Sequence, residues 1–476
     1  MTSLAVRLPV VESSEMASGP RPAMRERSLG RFTVIVKPTV SCNLACTYCY
    51  EGDPPPTKVM SADTLERLTE QAVAYVGHSR PLHFLWHGGE PLLAGMGFYR
   101  HAVEIQARFK QDARITNSLQ TNGTLLTEEM AAFFQQHGFT LGFSLDGDRQ
   151  LHDRSRPAKG GRPSFDDVMR GMTIAREHKI GGTGAIAVLS SATLPYIADI
   201  YAFFKRTGIN LQVNPLIESG RGCRDDLVMD PSDYGRAMVR LFDVWVNDIE
   251  PPLISVEPLE EAIGSMALGR TRSCTYGGSC RSSYVAIDSM GAVYPCSRFN
   301  GDSFRLGHIE EGGLEAALSS VVQQQLLQRQ AETLPGCEQC EYTPVCNGGC
   351  MHNAFAVTGS VMERDPYCGS YRELFTHIRQ RVVEALDGAA VAFSIDHAQD
   401  AAVILDRQVS LGQIDNPVLR RAIEKRQARG GLCIISDHSE AWPDHREHSE
   451  HSESYAERHR EYGVYTEYSE QHRDES

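Results

Sequence analysis

Eleven of the thirteen cysteines in this 476-residue chain fall into spaced groups, and any fold it adopts must gather them. The groups are Cys42, Cys46 and Cys49; Cys274, Cys280 and Cys296; and Cys337, Cys340, Cys346, Cys350 and Cys368. Cys223 and Cys433 stand apart and are read as ordinary thiols. An odd total suits disulfide pairing poorly, and residues 1–30 lack the apolar core of an export signal. Tight CxxC-type spacing in such a chain reads as thiolate ligation of metal. No run approaches the roughly 20 apolar residues that cross a bilayer, so a cytoplasmic protein with no membrane partner is expected. The formal charge of -14 would repel the phosphates of a duplex, and no nucleic-acid partner is expected.

The length suggests two or three domains. Over residues 31–255, apolar or β-branched runs alternate with amphipathic segments, the pattern of βα units around a parallel sheet. Strands are expected at 32–40, 81–86, 115–121, 139–144, 183–189 and 209–214. Ser61, Thr127, Ser164 and Ser232 sit where helix N-caps belong, and Gly138 and Gly208 where helices close. Residues 256–385 form a cysteine-dense domain with a hairpin over Val285–Tyr294, expected to depend on its metal for stability. A helical extension over 386–435 and a compositionally distinct tail over 436–476 follow, with an N-terminal tail at 1–30.

Immediately after the first expected strand comes Cys42-Asn43-Leu44-Ala45-Cys46-Thr47-Tyr48-Cys49, three thiols on one loop with no fourth nearby. Three ligands leave one iron of a [4Fe–4S] cluster open to an exchangeable partner, although a catalytic zinc also keeps an open position. Three more segments follow expected strands: Trp86-His87-Gly88-Gly89-Glu90-Pro91, Ser118-Leu119-Gln120-Thr121-Asn122-Gly123-Thr124 and Ser144-Leu145-Asp146-Gly147. Each falls at a carboxyl end, where parallel α/β folds bind their ligands. Together these segments resemble the radical S-adenosylmethionine (SAM) superfamily. The resemblance implies an α/β fold with a partial (β/α)6 TIM-type barrel, and a cluster on Cys42, Cys46 and Cys49. It implies SAM contacts at Tyr48, Gly89, Ser144, Arg156 and Leu211, and a reductant partner such as flavodoxin or ferredoxin. Its chemistry is a 5′-deoxyadenosyl radical that abstracts unactivated hydrogen. His87 and Asp146 are expected to position backbone or SAM, so no catalytic residue is assigned.

The later pattern, Cys280-x10-Gly291-x4-Cys296 and Cys337-x2-Cys340-x5-Cys346-x3-Cys350-x17-Cys368, resembles the SPASM domain. By that resemblance Cys274, Cys280, Cys296 and Cys350 hold one auxiliary [4Fe–4S] cluster, and Cys337, Cys340, Cys346 and Cys368 a second. Three clusters per chain are thus expected. Two zinc ribbons are the alternative that spacing alone leaves open. An iron–sulfur scaffold on a degenerate barrel is disfavoured, because all three loop thiols and the Gly-Gly-Glu-Pro segment are intact.

SPASM members mostly act on ribosomally made peptides and proteins. Anaerobic sulfatase-maturating enzymes share this motif order and make formylglycine, but carry an aspartate directly after the third cysteine of the first auxiliary set. Here Ser297 and Arg298 follow Cys296. The His87–Gly95 run looks more like maturases that crosslink an aromatic ring to a side-chain β-carbon. Only about 30 residues precede the first strand, too few for the leader-binding domain of some relatives.

From Asp437 the tail carries twelve acids against four bases and almost no aliphatic residue, a composition expected to be disordered alone. It repeats with a period of three, as in His448-Ser449-Glu450, His451-Ser452-Glu453 and Tyr468-Ser469-Glu470, and ten of its eleven rings have an acid two residues later. A solvated acidic segment, a histidine-rich metal binder and a substrate fused to its own maturase are the readings this pattern allows. A separate ribosomal peptide remains the other substrate.

Overall fold

The computed structural model describes residues 30–52, 58–268, 274–276, 278, 280–385 and 416–428. Six parallel strands follow one another as the alternating pattern predicts. They are β1 (Phe32–Val36), β2 (Leu82–Trp86), β3 (Ile115–Thr121), β4 (Thr140–Ser144), β5 (Ala185–Leu189) and β6 (Leu211–Pro215). Every side chain of β1 and β2 is buried, Thr33 and His83 included, so neither strand shows the in–out alternation of a half-exposed one. β1 is shorter than expected because the chain leaves the sheet after Val36 to form the cysteine loop.

The sheet does not stop at the expected boundary after residue 255. A two-residue strand, β7 (Val256–Glu257), adds in parallel to β6. On the other side β8 (Tyr284–Ile287) pairs in parallel with β1, in the register Thr33↔Tyr284 to Val36↔Ile287. β9 (Ala292–Tyr294) returns antiparallel to β8, and β10 (Gly307–His308) closes that edge. The expected hairpin therefore exists, and it makes the cysteine-rich half part of one sheet, ordered β10-β9-β8-β1-β2-β3-β4-β5-β6-β7. This mostly parallel sheet, open between β7 and β10, is the partial barrel.

Helix caps follow the expected chemistry at two of four places. Ser61 and Thr127 accept from the amides of Thr64 and Met130. Ser164 instead turns its hydroxyl inward to the Arg156 carbonyl and the His152 ring. Helix 231–247 is capped by Asp230 rather than Ser232, with Pro231 at its first position. Gly208 closes helix 197–207 in the left-handed conformation, and Gly138, also at positive φ, follows helix 128–136.

Helix 368–385 packs against helix 231–247, and helix 417–428 packs against helix 259–268. The Asn416 side chain caps the last helix by accepting from the amides of Val418 and Leu419. The rest of the expected extension and the tail lie outside the described residues. No helix among the described residues is long and apolar enough to cross a membrane.

Helix 165–177 sits so close to the turn after β3 that a Cβ on Gly171 would lie 2.1 Å from the Gly123 carbonyl oxygen. Gly171→Ala must therefore push helix and turn apart. A loss of about 1–3 kcal/mol is expected by denaturant unfolding, and an unchanged midpoint would contradict this packing.

Candidate functional site

The cysteine loop is held by the backbone of the Gly-Gly-Glu-Pro segment. Gly89 N donates to the Thr39 carbonyl at 3.1 Å, and Glu90 N to the Ser41 carbonyl at 2.9 Å. The two strands of chain touch without room for side chains: a Cβ on Gly88 would lie 2.4 Å from Thr39 O, and one on Gly89 2.2 Å from Ser41 O. Gly88 also has φ +114°, a conformation side chains rarely allow. Both glycines are thus required by the approach of the loop that ends in Cys42.

Glu90 is fully buried, and its carboxylate is saturated by hydrogen bonds. One oxygen accepts from Thr121 Oγ1 at 2.7 Å and Leu92 N at 2.9 Å, the other from Asn122 N at 2.8 Å. Burial nevertheless pushes its pKa up to about 7, outweighing those three bonds. Asn122 carries the network onward, donating to Asn43 Oδ1 at 2.9 Å and reaching Cys42 Sγ at 3.9 Å. Asn43 in turn donates to Thr124 Oγ1 at 2.8 Å. The segments after β2 and β3 therefore fix the cysteine loop through side chains as well as backbone. Cys42, Cys46 and Cys49 lie near enough to repel one another as thiolates, and burial pushes all three thiols up, Cys46 to about 12. Such thiols stay protonated until a metal takes the proton's place.

Beside the loop lies a buried ion pair. The Arg156 guanidinium meets the Asp146 carboxylate at 2.9 and 3.1 Å, and Tyr48 donates to the same carboxylate at 2.5 Å. Asp146 also accepts from Val188 N at 3.0 Å, which ties β5 to the end of β4. The Arg156 guanidinium stands 5.3 Å from the Tyr48 ring centre, and Ser144 Oγ accepts from Gln120 at 3.2 Å. Tyr48, Gly89, Ser144 and Arg156 therefore all line the carboxyl end of the sheet. Leu211 does not. It opens β6 at the opposite end of the sheet, 1% exposed in the main core, and strand direction puts Leu216 at the carboxyl end instead.

Farther along the chain the thiols sort into two sets. Cys274 shares its surroundings with Cys280, Cys296 and Cys350, the groups whose charge bears on it. Cys346 and Cys337 are likewise influenced by Cys368, and Cys337 by Cys340. Those four line one narrow cleft, together with Asp365, Arg364 and Tyr371. Among the described residues, no three His, Cys, Asp or Glu side chains converge on a position for a single metal ion.

Asp365 joins the two sets. Its buried carboxylate accepts from Cys350 N at 2.8 Å, Asn353 Nδ2 at 3.1 Å, the Tyr371 hydroxyl at 3.2 Å and Tyr367 N at 3.0 Å. Its carbonyl accepts from Cys368 N at 3.0 Å. A residue with no sequence motif of its own thus orients one thiol of each set. Cys223 is exposed and outside both sets, and Cys433 lies outside the described residues.

The Radical SAM superfamily model matches residues 36–204, and the SPASM model, an iron–sulfur cluster-binding domain, matches residues 274–341. A serine-type anaerobic sulfatase-maturating enzyme of Klebsiella pneumoniae is 32% identical over 366 residues, covering 75% of this chain and 89% of that one. The chain belongs to the radical SAM superfamily. It is a radical SAM enzyme with a SPASM domain, and iron–sulfur clusters and SAM are the cofactors these domains indicate. Its fold superposes with a TM-score of 0.65 on native anSMEcpe with bound AdoMet and Cp18Cys peptide, at 28% identity, covering 74% of this chain and 98% of that one. Streptococcus suis SuiB bound to S-adenosylmethionine shares the fold at a TM-score of 0.52 and 17% identity, over 71% of this chain and 77% of that one.

Two outcomes are expected from this geometry. Asp365→Asn should weaken the set that contains Cys350, whose amide the carboxylate holds, and spare that of Cys368, whose amide is held by a backbone carbonyl the variant keeps. Iron and sulfide per chain after anaerobic reconstitution should then fall by about one cluster, and parent-level content would contradict the role of the carboxylate. His152, wholly buried, accepts from Asp146 N at 3.4 Å and faces the Ser164 hydroxyl at 3.0 Å. Burial pushes its pKa down from 6.5 to about 4. The native state therefore prefers the neutral ring, and its contribution, at most about 3 kcal/mol, is present above pH 6.5 and lost as pH falls toward 4. Unfolding of His152→Asn should show a flatter loss over that window than the parent chain.

Proposed function

We propose that this radical SAM enzyme is a peptide maturase that carries three [4Fe–4S] clusters and joins aromatic rings to side-chain β-carbons, with its own residues 436–476 as a substrate. In this reading Cys42, Cys46 and Cys49 hold the SAM-binding cluster, with Tyr48, Gly89, Ser144 and Arg156 around the cofactor. Cys274, Cys280, Cys296 and Cys350 hold one auxiliary cluster, and Cys337, Cys340, Cys346 and Cys368 the other. When bound, the reduced first cluster and SAM supply a 5′-deoxyadenosyl radical able to take hydrogen from an unactivated carbon.

The chain's own residues bind and shield. The Glu90 and Asn122 network holds the cysteine loop in one shape, so the exchangeable position always faces the same way. The Asp146–Arg156 pair closes the side of the loop with its charge already neutralised. The buried side chains of β1 and β2 keep water from entering behind the loop.

The observation that carries the crosslinking reading is the chemistry beside Cys296. Where sulfatase maturases, in the resemblance above, present a carboxylate, this chain has Ser297, whose carbonyl accepts from Lys37 at 2.9 Å, and Arg298, whose guanidinium turns to Cys350. The ring–X–acid triplets of the tail supply matching substrate, and a tether raises its effective concentration without a separate binding domain. The second reading, formylglycine formation on a protein, is favoured by the 32% identity to a sulfatase-maturating enzyme.

Anaerobic turnover with SAM and dithionite, followed by proteolysis and mass spectrometry of residues 437–476, separates the readings. The reconstituted chain should hold about twelve irons, and the tail should lose two hydrogens for each link formed. An unchanged tail in a preparation that releases 5′-deoxyadenosine rejects self-modification, and conversion of a sulfatase peptide would favour the second reading.

A further inference from the structure

Arg298 is a cation whose counter-charge is sulfur. Its Nη1 donates to Cys350 Sγ at 3.6 Å and to Asn353 Oδ1 at 3.4 Å, and among the described residues it forms no ion pair. Cys350, Cys274 and Cys296 are the neighbouring groups that would carry the opposing charge once ligated. A second buried arginine is held differently. Arg329 donates to the carbonyl of Gly348 at 2.9 Å and to those of Val361 and Glu363, burial pushes its pKa down, and its charge bears on Cys350 and Cys280 of this set and on Cys337 of the other. Burying such cations is costly unless an anion accompanies them. The thiolate set of Cys274, Cys280, Cys296 and Cys350 is that anion.

The other late set is treated differently. Here Arg364 reaches Cys368 Sγ at 3.9 Å from an exposed position. Water screens a charge there, so it acts on its neighbours far less than a buried one does.

We propose that Arg298 sets the reduction potential of the first auxiliary cluster, making the site of Cys274, Cys280, Cys296 and Cys350 the more easily reduced of the two. Adding an electron increases the negative charge of a cluster by one. A buried cation donating to a ligand sulfur stabilises that form more than the oxidised one, which raises the potential. Arg298 is a positioning residue in this role: it acts on the cluster through Cys350. The inference rests on the reading that both late sets hold [4Fe–4S] clusters.

Potentiometric titration followed by electron paramagnetic resonance tests it, using the anaerobically reconstituted full chain and its Arg298→Gln, Arg298→Lys and Arg364→Gln variants. One auxiliary signal should move to lower potential in Arg298→Gln, less in Arg298→Lys, and hardly at all in Arg364→Gln. Iron and sulfide should stay at the parent level. Unchanged midpoints in an iron-replete Arg298→Gln protein overturn the proposal. Should that variant lose iron, the neutral Arg298→Met, close to arginine in stem length, decides: unmoved midpoints in an iron-replete Arg298→Met protein overturn the proposal equally. A parent chain with iron for a single cluster would instead refute the three-cluster reading, and the proposal with it.

Discussion

The parallel pairing of β8 with β1 is the contact on which the arrangement of this protein depends. β1 leads directly into the loop of Cys42, Cys46 and Cys49, and the hairpin of β8 and β9 carries Cys280 before it and Cys296 after it. Four registered residue pairs therefore fix the first thiol group against the second through backbone hydrogen bonds. Lys37 reinforces the junction, with its amide on the Ile287 carbonyl at 2.8 Å and its ammonium on both the Ser297 carbonyl and Glu51. A sheet ladder is a rigid spacer compared with a loop. Distances between redox centres, which govern electron transfer, are thus set by the most ordered part of the fold.

Around that frame the enzyme handles charge by enclosing it. Glu90, Asp146 and Asp365 are three carboxyl groups 1% exposed or less, and each organises a different piece of the site. Asp146 has a cation, Arg156, against it. Glu90 and Asp365 have hydrogen bonds instead, and burial raises the pKa of both. Arg298 is the converse, a buried cation beside thiols that metal binding would turn to thiolates. In that half, folding and metal loading are linked by electrostatics as well as by ligation.

Much of this was legible in the sequence, for identifiable reasons. The parallel strands showed because most are short apolar or β-branched runs between amphipathic helices, the largely polar β3 being the exception, and the cysteine groups showed because ligand spacing is local. What escaped was set by long-range contact. The continuation of the sheet through β7 and β8 rests on strands of two and four residues, too short to carry a period. Asp365 has no motif, and its importance comes from where Cys350 and Cys368 meet it. Leu211 was misplaced because an apolar strand looks alike at both ends, and only its direction in the sheet separates Leu211 from Leu216. Ser164 stands at the N-cap position but turns its hydroxyl to the Arg156 carbonyl, and Asp230 takes the cap expected of Ser232.

The sheet also ends in a particular way. Its edge strands among the described residues, β7 and β10, are two residues each. Between synthesis and cofactor insertion a chain of this kind passes time with its thiols unligated, when exposed edges would invite neighbouring chains to add on. Edges this short offer too few free amides and carbonyls to template another strand. The chain can wait for iron without aggregating through its largest sheet.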